Sequence, residues 1–241
     1  MKEGMTMEET SVVRILGLSF NLNTLVATLV VVGIVIALCL FTSRKLSLDR
    51  PSKGQVLMEM VIEFVEGICD STLNQHQPIY VILGMTLLLF VFVSNLIGLP
   101  FLIKTHEISL WRSPTADPIV TISLAIIAIL TGHVLGVRRF GFFGHLRHFY
   151  AKPNLLKLPI QLVEELINTT TLALRLFGNI FAGEILLNLI ASFAMVFIPI
   201  TPIVALPLQM VWQGFSVFIG AIQAYIFTTL TMVYLSHKVQ E

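Results

Sequence analysis

An arginine set in membrane-grade apolar sequence is the first residue that asks for a chemical account. Arg175 lies in the run Leu162 to Ile198, which also holds Glu164, Glu165, Asn168, Asn179, Glu184 and Asn188. Ionisable groups inside a bilayer cost about 2.5–3.5 kcal/mol each on insertion scales. Arg175 stands 13 residues into that run. As a helix this places it roughly 20 Å along the axis, too deep for the side chain to reach the headgroups. Such a group is either a structural arginine paired to another helix or part of an ion pathway, and the accompanying carboxylates and amides favour the pathway.

Helical spacing sorts these groups by direction. At about 100° per residue, Glu164 and Asn168 share the azimuth of Arg175, and Asn179 follows one turn further along. Glu184, nine residues after Arg175, points nearly the opposite way, with Asn188 one turn beyond it. The helix is therefore expected to carry two polar faces, one through Arg175 and one through Glu184, serving two aqueous routes. Glu164 and Glu165 also fit the cytoplasmic headgroup level, and both placements stay open. In the next apolar run Gln209, Gln213, Ser216, Gly220 and Gln223 recur at helical spacing. In a membrane such a stripe marks close helix packing or a hydrated face. Gln223 is the strongest functional candidate within it.

Other chemistries are excluded. His106-Glu107 lacks the second histidine of a zinc protease, and Gly214-Phe215-Ser216 lacks the second glycine of a nucleophile elbow. No glycine-rich phosphate loop occurs, so the chain alone is not expected to bind or hydrolyse ATP. Neither a cofactor nor a metal site is expected. Cys39 and Cys69 are isolated thiols, and His133, His145 and His148 read as membrane-surface histidines. A formal net charge of +1 gives no footprint for nucleic acid.

These residues need a membrane scaffold to position them. The 241 residues are 56% hydrophobic and 12% charged, about half the charge of a soluble domain. The sequence predicts an all-α integral membrane protein forming a single membrane domain over 1–241. Residues 1–21 form an outer tail, and spans follow at 22–41, 79–103, 119–137, 162–198 and 203–235. The first run is a full span in length, not a short signal-peptide core, and is expected to stay in the mature protein. The last two runs exceed the ~20 residues a crossing needs and should tilt as a long hairpin turning at Pro199-Ile200-Thr201-Pro202. Residues 53–74 differ. Val56, Leu57, Met60, Val61, Phe64, Val65 and Ile68 oppose Glu59, Glu63, Glu66 and Asp70, which predicts an amphipathic helix at the membrane surface.

Basic residues set the orientation. With the N-terminus outside, the cytoplasmic side holds Arg44, Lys45, Arg50, Lys53, Arg138, Arg139, Arg147, Lys152, Lys157 and Lys238. The outer side holds Lys2, Arg14, Lys104 and Arg112. Ten against four favours a cytoplasmic C-terminus in the cell membrane.

Leu174-Arg175-Leu176-Phe177-Gly178-Asn179 followed by Ala182-Gly183-Glu184 resembles the signature of subunit a of the F-type ATP synthase. Ser94-Asn95-Leu96-Ile97-Gly98-Leu99-Pro100, Pro114-Thr115-Ala116-Asp117, and Gln223-Ala224-Tyr225-Ile226-Phe227 running to Tyr234-Leu235-Ser236 agree in order. The pattern resembles the bacterial form, particularly that of Gram-positive bacilli. The resemblance implies a proton-conducting stator subunit against a ring of c subunits, with the b-subunit stalk, the remaining synthase subunits and membrane lipid as further partners. It implies that Arg175 separates two half-channels and deprotonates a ring carboxylate. Glu184 is then the acid of the outer half-channel and Gln223 a polar partner near the arginine, with Asn179 and Ser216 on the proton path. Ser216 stands where many bacterial relatives have histidine, Ile119 where many have asparagine, and Gln161 where some have glutamate. Glu164 or Glu165 is expected to replace the last of these in the inner half-channel. A sodium-translocating version and an ion-coupled secondary transporter are the alternatives.

Overall fold

The computed structural model describes residues 12–15, 18–44, 47, 51–73, 77–98, 104–105, 108–109, 113–146, 157–194 and 200–239. Most of the expected outer tail (1–11), the His106-Glu107 loop, His148 and Pro199 lie outside the described residues. Among the described residues seven α-helices follow in chain order: α1 Leu22–Ser43, α2 Lys53–Leu73, α3 Pro78–Gly98, α4 Pro118–Phe140, α5 Phe142–Leu146, α6 Lys157–Ala194 and α7 Ile200–Val239. Two short antiparallel hairpins pair β1 Val12–Ile15 with β2 Leu18–Asn21 and β3 Lys104–Thr105 with β4 Ile108–Ser109. Among the described residues α1, α3, α4, α6 and α7 are long and apolar enough to cross a membrane. The protein is an all-α integral membrane protein.

The helix ends follow local chemistry. Asn21 caps α1 by accepting from the Asn23 amide at 3.2 Å, and Asp117 caps α4 by accepting from the Ile119 amide at 2.9 Å, ahead of Pro118 at the first helical position. Helix α3 is described to Gly98, and residues 99–103 of the expected span lie outside the described residues. Helix α6 begins at Lys157 rather than 162, since Pro159 is tolerated in a first turn. At 38 and 40 residues, α6 and α7 run to roughly 57 and 60 Å, about twice the hydrocarbon thickness, so they must lie strongly tilted.

Helix α7 is the hub, packing on α2, α3, α4 and α6. One buried cluster joins Val65, Ile68, Cys69 and Leu73 of α2 to Tyr80, Leu135, Met232, Leu235 and Val239. A second joins Leu87 and Val91 of α3 to Ala125 of α4, Leu172, Ala173 and Leu176 of α6, and Ala224 and Phe227 of α7. Helix α1 is peripheral and buries only Ala27 and Val31. The second cluster holds one face of α6 inward and thereby fixes which side chains of that helix face out.

Candidate functional site

Arg175 is one of the side chains left facing out. Leu172, Ala173 and Leu176 are buried on either side of it, while Leu174 and Arg175 are exposed. The guanidinium belongs to a stripe with Thr171, Ala182, Ile185 and Leu189, all exposed at helical spacing. Helix α7 presents a matching exposed row through Val211, Phe215, Phe218, Ile222 and Tyr225. A guanidinium on an apolar, lipid-grade surface is costly unless an anion meets it there.

Towards the C-terminal end of α6, Asn179, Gly183 and Glu184 line a cavity of about 10 Å³ with Asn95 and Gly98 of α3 and Ser216 of α7. That is close to the room one water needs. Sequence spacing assigned Asn179 to the face of Arg175, but the structure brings it into the cavity with Glu184. The wall is held by uncharged hydrogen bonds. Asn95 Nδ2 donates to the Gly220 carbonyl at 3.0 Å, Thr115 Oγ1 donates to Asn95 Oδ1 at 3.0 Å, and Ser113 Oγ donates to the Ser94 carbonyl at 2.9 Å. Thr24 of α1 ties in by donating to Asp117 Oδ2 at 3.1 Å. Gln223, one turn after Gly220, is 5% exposed, and its Nε2 has no hydrogen-bond partner among the described residues.

Towards the N-terminal end of α6 a second cavity, of about 20 Å³, is lined by Gln161, Glu164, Glu165, Asn168, Tyr234, His237 and Lys238, with Ile129 at its edge. The two carboxylates behave differently. Glu164 is exposed, whereas Glu165 is held by Lys238 Nζ at 2.6 Å and by His133 Nε2. His133 Nδ1 in turn meets His145 Nε2 at 3.0 Å. Glu164 and Glu184 are 20 residues apart, about 30 Å along α6, with Arg175 between them. Among the described residues no group of histidine, cysteine and carboxylate side chains could hold a metal ion.

The family described as ATP synthase A chain matches residues 25–236. Proteins named ATP synthase subunit a are similar along nearly their whole length. The one from Listeria monocytogenes serotype 4b (strain CLIP80459) is 45% identical over 235 residues, covering 97% of this chain and 98% of the relative. That of Bacillus subtilis (strain 168) is 44% identical, covering 94% and 96%, and that of Priestia megaterium is 43% identical, covering 96% and 97%. This chain belongs to the ATP synthase A chain family. It is a multi-pass membrane subunit of an ATP synthase complex, as its resemblance to the Gram-positive bacillus form implied. Membership in the ATP synthase A chain family also sets aside the secondary-transporter alternative.

Several site residues were not singled out from the sequence. His133 and His145 read there as surface histidines, yet His145 is 2% exposed and His133 bridges it to Glu165. Lys238 counted only as a cytoplasmic charge, but it is 4% exposed. Asn95 and Thr115 stand in two separate sequence motifs, and the structure makes them neighbours. The available signal was the placement of Gly132 and Gly136 one turn apart beside His133, which marks a close approach on α4.

Proposed function

We propose that the chain is the proton-conducting stator subunit of an F-type ATP synthase, with two half-channels that meet a ring of c subunits at Arg175. The observation that carries this reading is the placement of two polar cavities about 30 Å apart along one helix, with a single exposed arginine between them. The excess of basic residues at the Glu164 end favours the cytoplasmic side for that cavity and the outer side for the Glu184 cavity. A proton entering from outside reaches Glu184, with Asn179, Ser216 and Asn95 supplying donors and acceptors for a water chain.

A ring carboxylate must be neutral to face lipid and charged to face Arg175. The guanidinium lowers the carboxylate's pKa by proximity, so the proton leaves towards the cytoplasmic cavity. Arginine stays protonated, which makes it a fixed barrier to direct passage between cavities. The buried Gln223 amide supplies a neutral dipole two turns from Ser216 on α7. Of the two inner carboxylates, Glu164 is assigned to the route and Glu165 to the ion pair that frames it. The remaining stator contacts, including the b-subunit stalk, fall to the other exposed helices.

The test is proton-driven ATP synthesis in reconstituted vesicles. Glu184→Gln and Glu164→Gln are each expected to slow synthesis at least about tenfold, in the range for loss of a positioned acid–base group. Glu184→Gln should lose its dependence on the pH of the outer medium, and Glu164→Gln on that of the cytoplasmic medium. Wild-type rates in both variants would remove the two carboxylates from the route.

A further inference from the structure

The Glu164 end carries more charge than conduction requires. Lys238 closes α7 in the last turn before the end of the helix, and its ammonium is buried between α4 and α6. It donates to Glu165 Oε1 at 2.6 Å and to the Ile129 carbonyl at 3.2 Å. The space it occupies is carved from α4. A methyl at Gly132 would stand 3.2 Å from Lys238 Cδ, and one at Gly136 would stand 2.9 Å from the Lys238 carbonyl oxygen and 2.5 Å from the His145 ring. Two glycines one turn apart therefore admit Lys238 and His145 together. His133, between them in sequence, reaches the same carboxylate oxygen that Lys238 holds. Buried charges are retained at a site only where their partners are complete, and here four titratable groups from four helices converge on one another.

We propose that Lys238 is a positioning residue for the cytoplasmic proton route: by engaging Glu165 it fixes the last turn of α7 against the first turns of α6, and so sets Tyr234 and His237 around Glu164. This rests on the assignment of Glu164 to the route. The geometry supplies the link, because Tyr234, His237 and Lys238 share one helix end and line one cavity with Glu164 and Glu165. The groups facing Glu164 are Glu165 on its own helix and Tyr234, His237 and Lys238 from α7. His133 of α4 and His145 of α5 stand behind Glu165. With Lys238 and Glu165 paired, the cluster holds no uncompensated charge, and Glu164 is left as the carboxylate that exchanges protons with the cytoplasm.

The experiment uses the whole complex in inverted vesicles, with ATP-driven proton pumping measured against the pH of the medium on the cytoplasmic face. The variant is the double substitution Lys238→Met with Glu165→Met, which removes both charges at similar volume and so should still assemble. Its pH midpoint is expected to move by about threefold or more in proton concentration, as a carboxyl's protonation responds to a changed neighbourhood. Arg138→Gln, an exposed cation at the same end, should leave the midpoint in place. A double variant that fails to assemble would overturn the proposal in favour of a purely structural clamp. So would one that pumps less at an unchanged midpoint, or a shift of equal size in Arg138→Gln. Pumping that survives in Arg175→Ala would instead strike the functional reading beneath the proposal, leaving the two failures distinguishable.

Discussion

The two ends of α6 solve the same problem with different chemistry. At the Glu184 end the cavity is lined by uncharged Asn95, Asn179 and Ser216, and Asn95 is held from behind by Thr115 Oγ1 and the Gly220 carbonyl. Among the described residues Glu184 is the one titratable side chain lining that cavity. At the Glu164 end the wall contains Glu165, Tyr234, His237 and Lys238, with His133 behind. A neutral frame holds its geometry by hydrogen bonds alone. A charged frame must first be neutralised by pairing, and that pairing is what Lys238 and His133 supply to Glu165. On the proposed reading each end presents one carboxylate to its route, framed by opposite means.

The difference should appear first in stability. Lys238→Met alone leaves the Glu165 carboxylate without its ammonium and is expected to cost about 3–5 kcal/mol, the range for breaking a buried pair by removing one partner. Thr115→Val removes one donor to Asn95 and should cost less, about 1–3 kcal/mol for an unsatisfied buried acceptor. Denaturant unfolding of the purified complexes orders the two. Equal losses would mean that the charged end is no more dependent on its pairing than the neutral end is on its hydrogen bonds.

Much of this contrast was not legible from the sequence. The five crossing runs, Arg175 and Glu184 stood out because periodicity and the rarity of intramembrane charge are local signals. The frame is not local. Asn95 meets the Gly220 carbonyl across 125 positions, His133 meets Glu165 across 32, and Lys238 meets Glu165 across 73. A lysine near a helix end reads as a headgroup-level cation until packing shows that α4 has opened a socket for it. Asn179 was misassigned to the Arg175 face because azimuth alone ignores where α3 and α7 approach α6. The start of α6 lies earlier for a simpler reason: Pro159 is tolerated within a first turn, below the grain of a hydropathy reading.

A smaller effect sharpens the assignment of sides. Lys238 is buried, so a cysteine there would report poorly on topology, whereas His237 is exposed. His237→Cys is expected to react with an impermeant maleimide only from the cytoplasmic face. Cys69 need not be removed first. Its burial, reinforced by the charges of Asp70 and Glu66, pushes the thiol up to about 11. At pH 8 roughly one part in a thousand is then thiolate, the reactive form. Labelling of His237→Cys from outside intact cells would exchange the two ends in this account.

The central claim is that one arginine keeps two cavities apart and, by its fixed charge, drives the proton off a ring carboxylate into one of them. Its direct test is coupled ATP synthesis together with passive proton flux in vesicles carrying wild-type, Arg175→Ala and Arg175→Lys complexes. The alanine variant should lose coupled synthesis and leak protons, since both the charged partner and the fixed barrier are gone. Lysine, a strongly hydrated point charge that can give up its proton when buried, should restore little coupling. Full coupled synthesis by the alanine complex, with no added leak, would contradict the account.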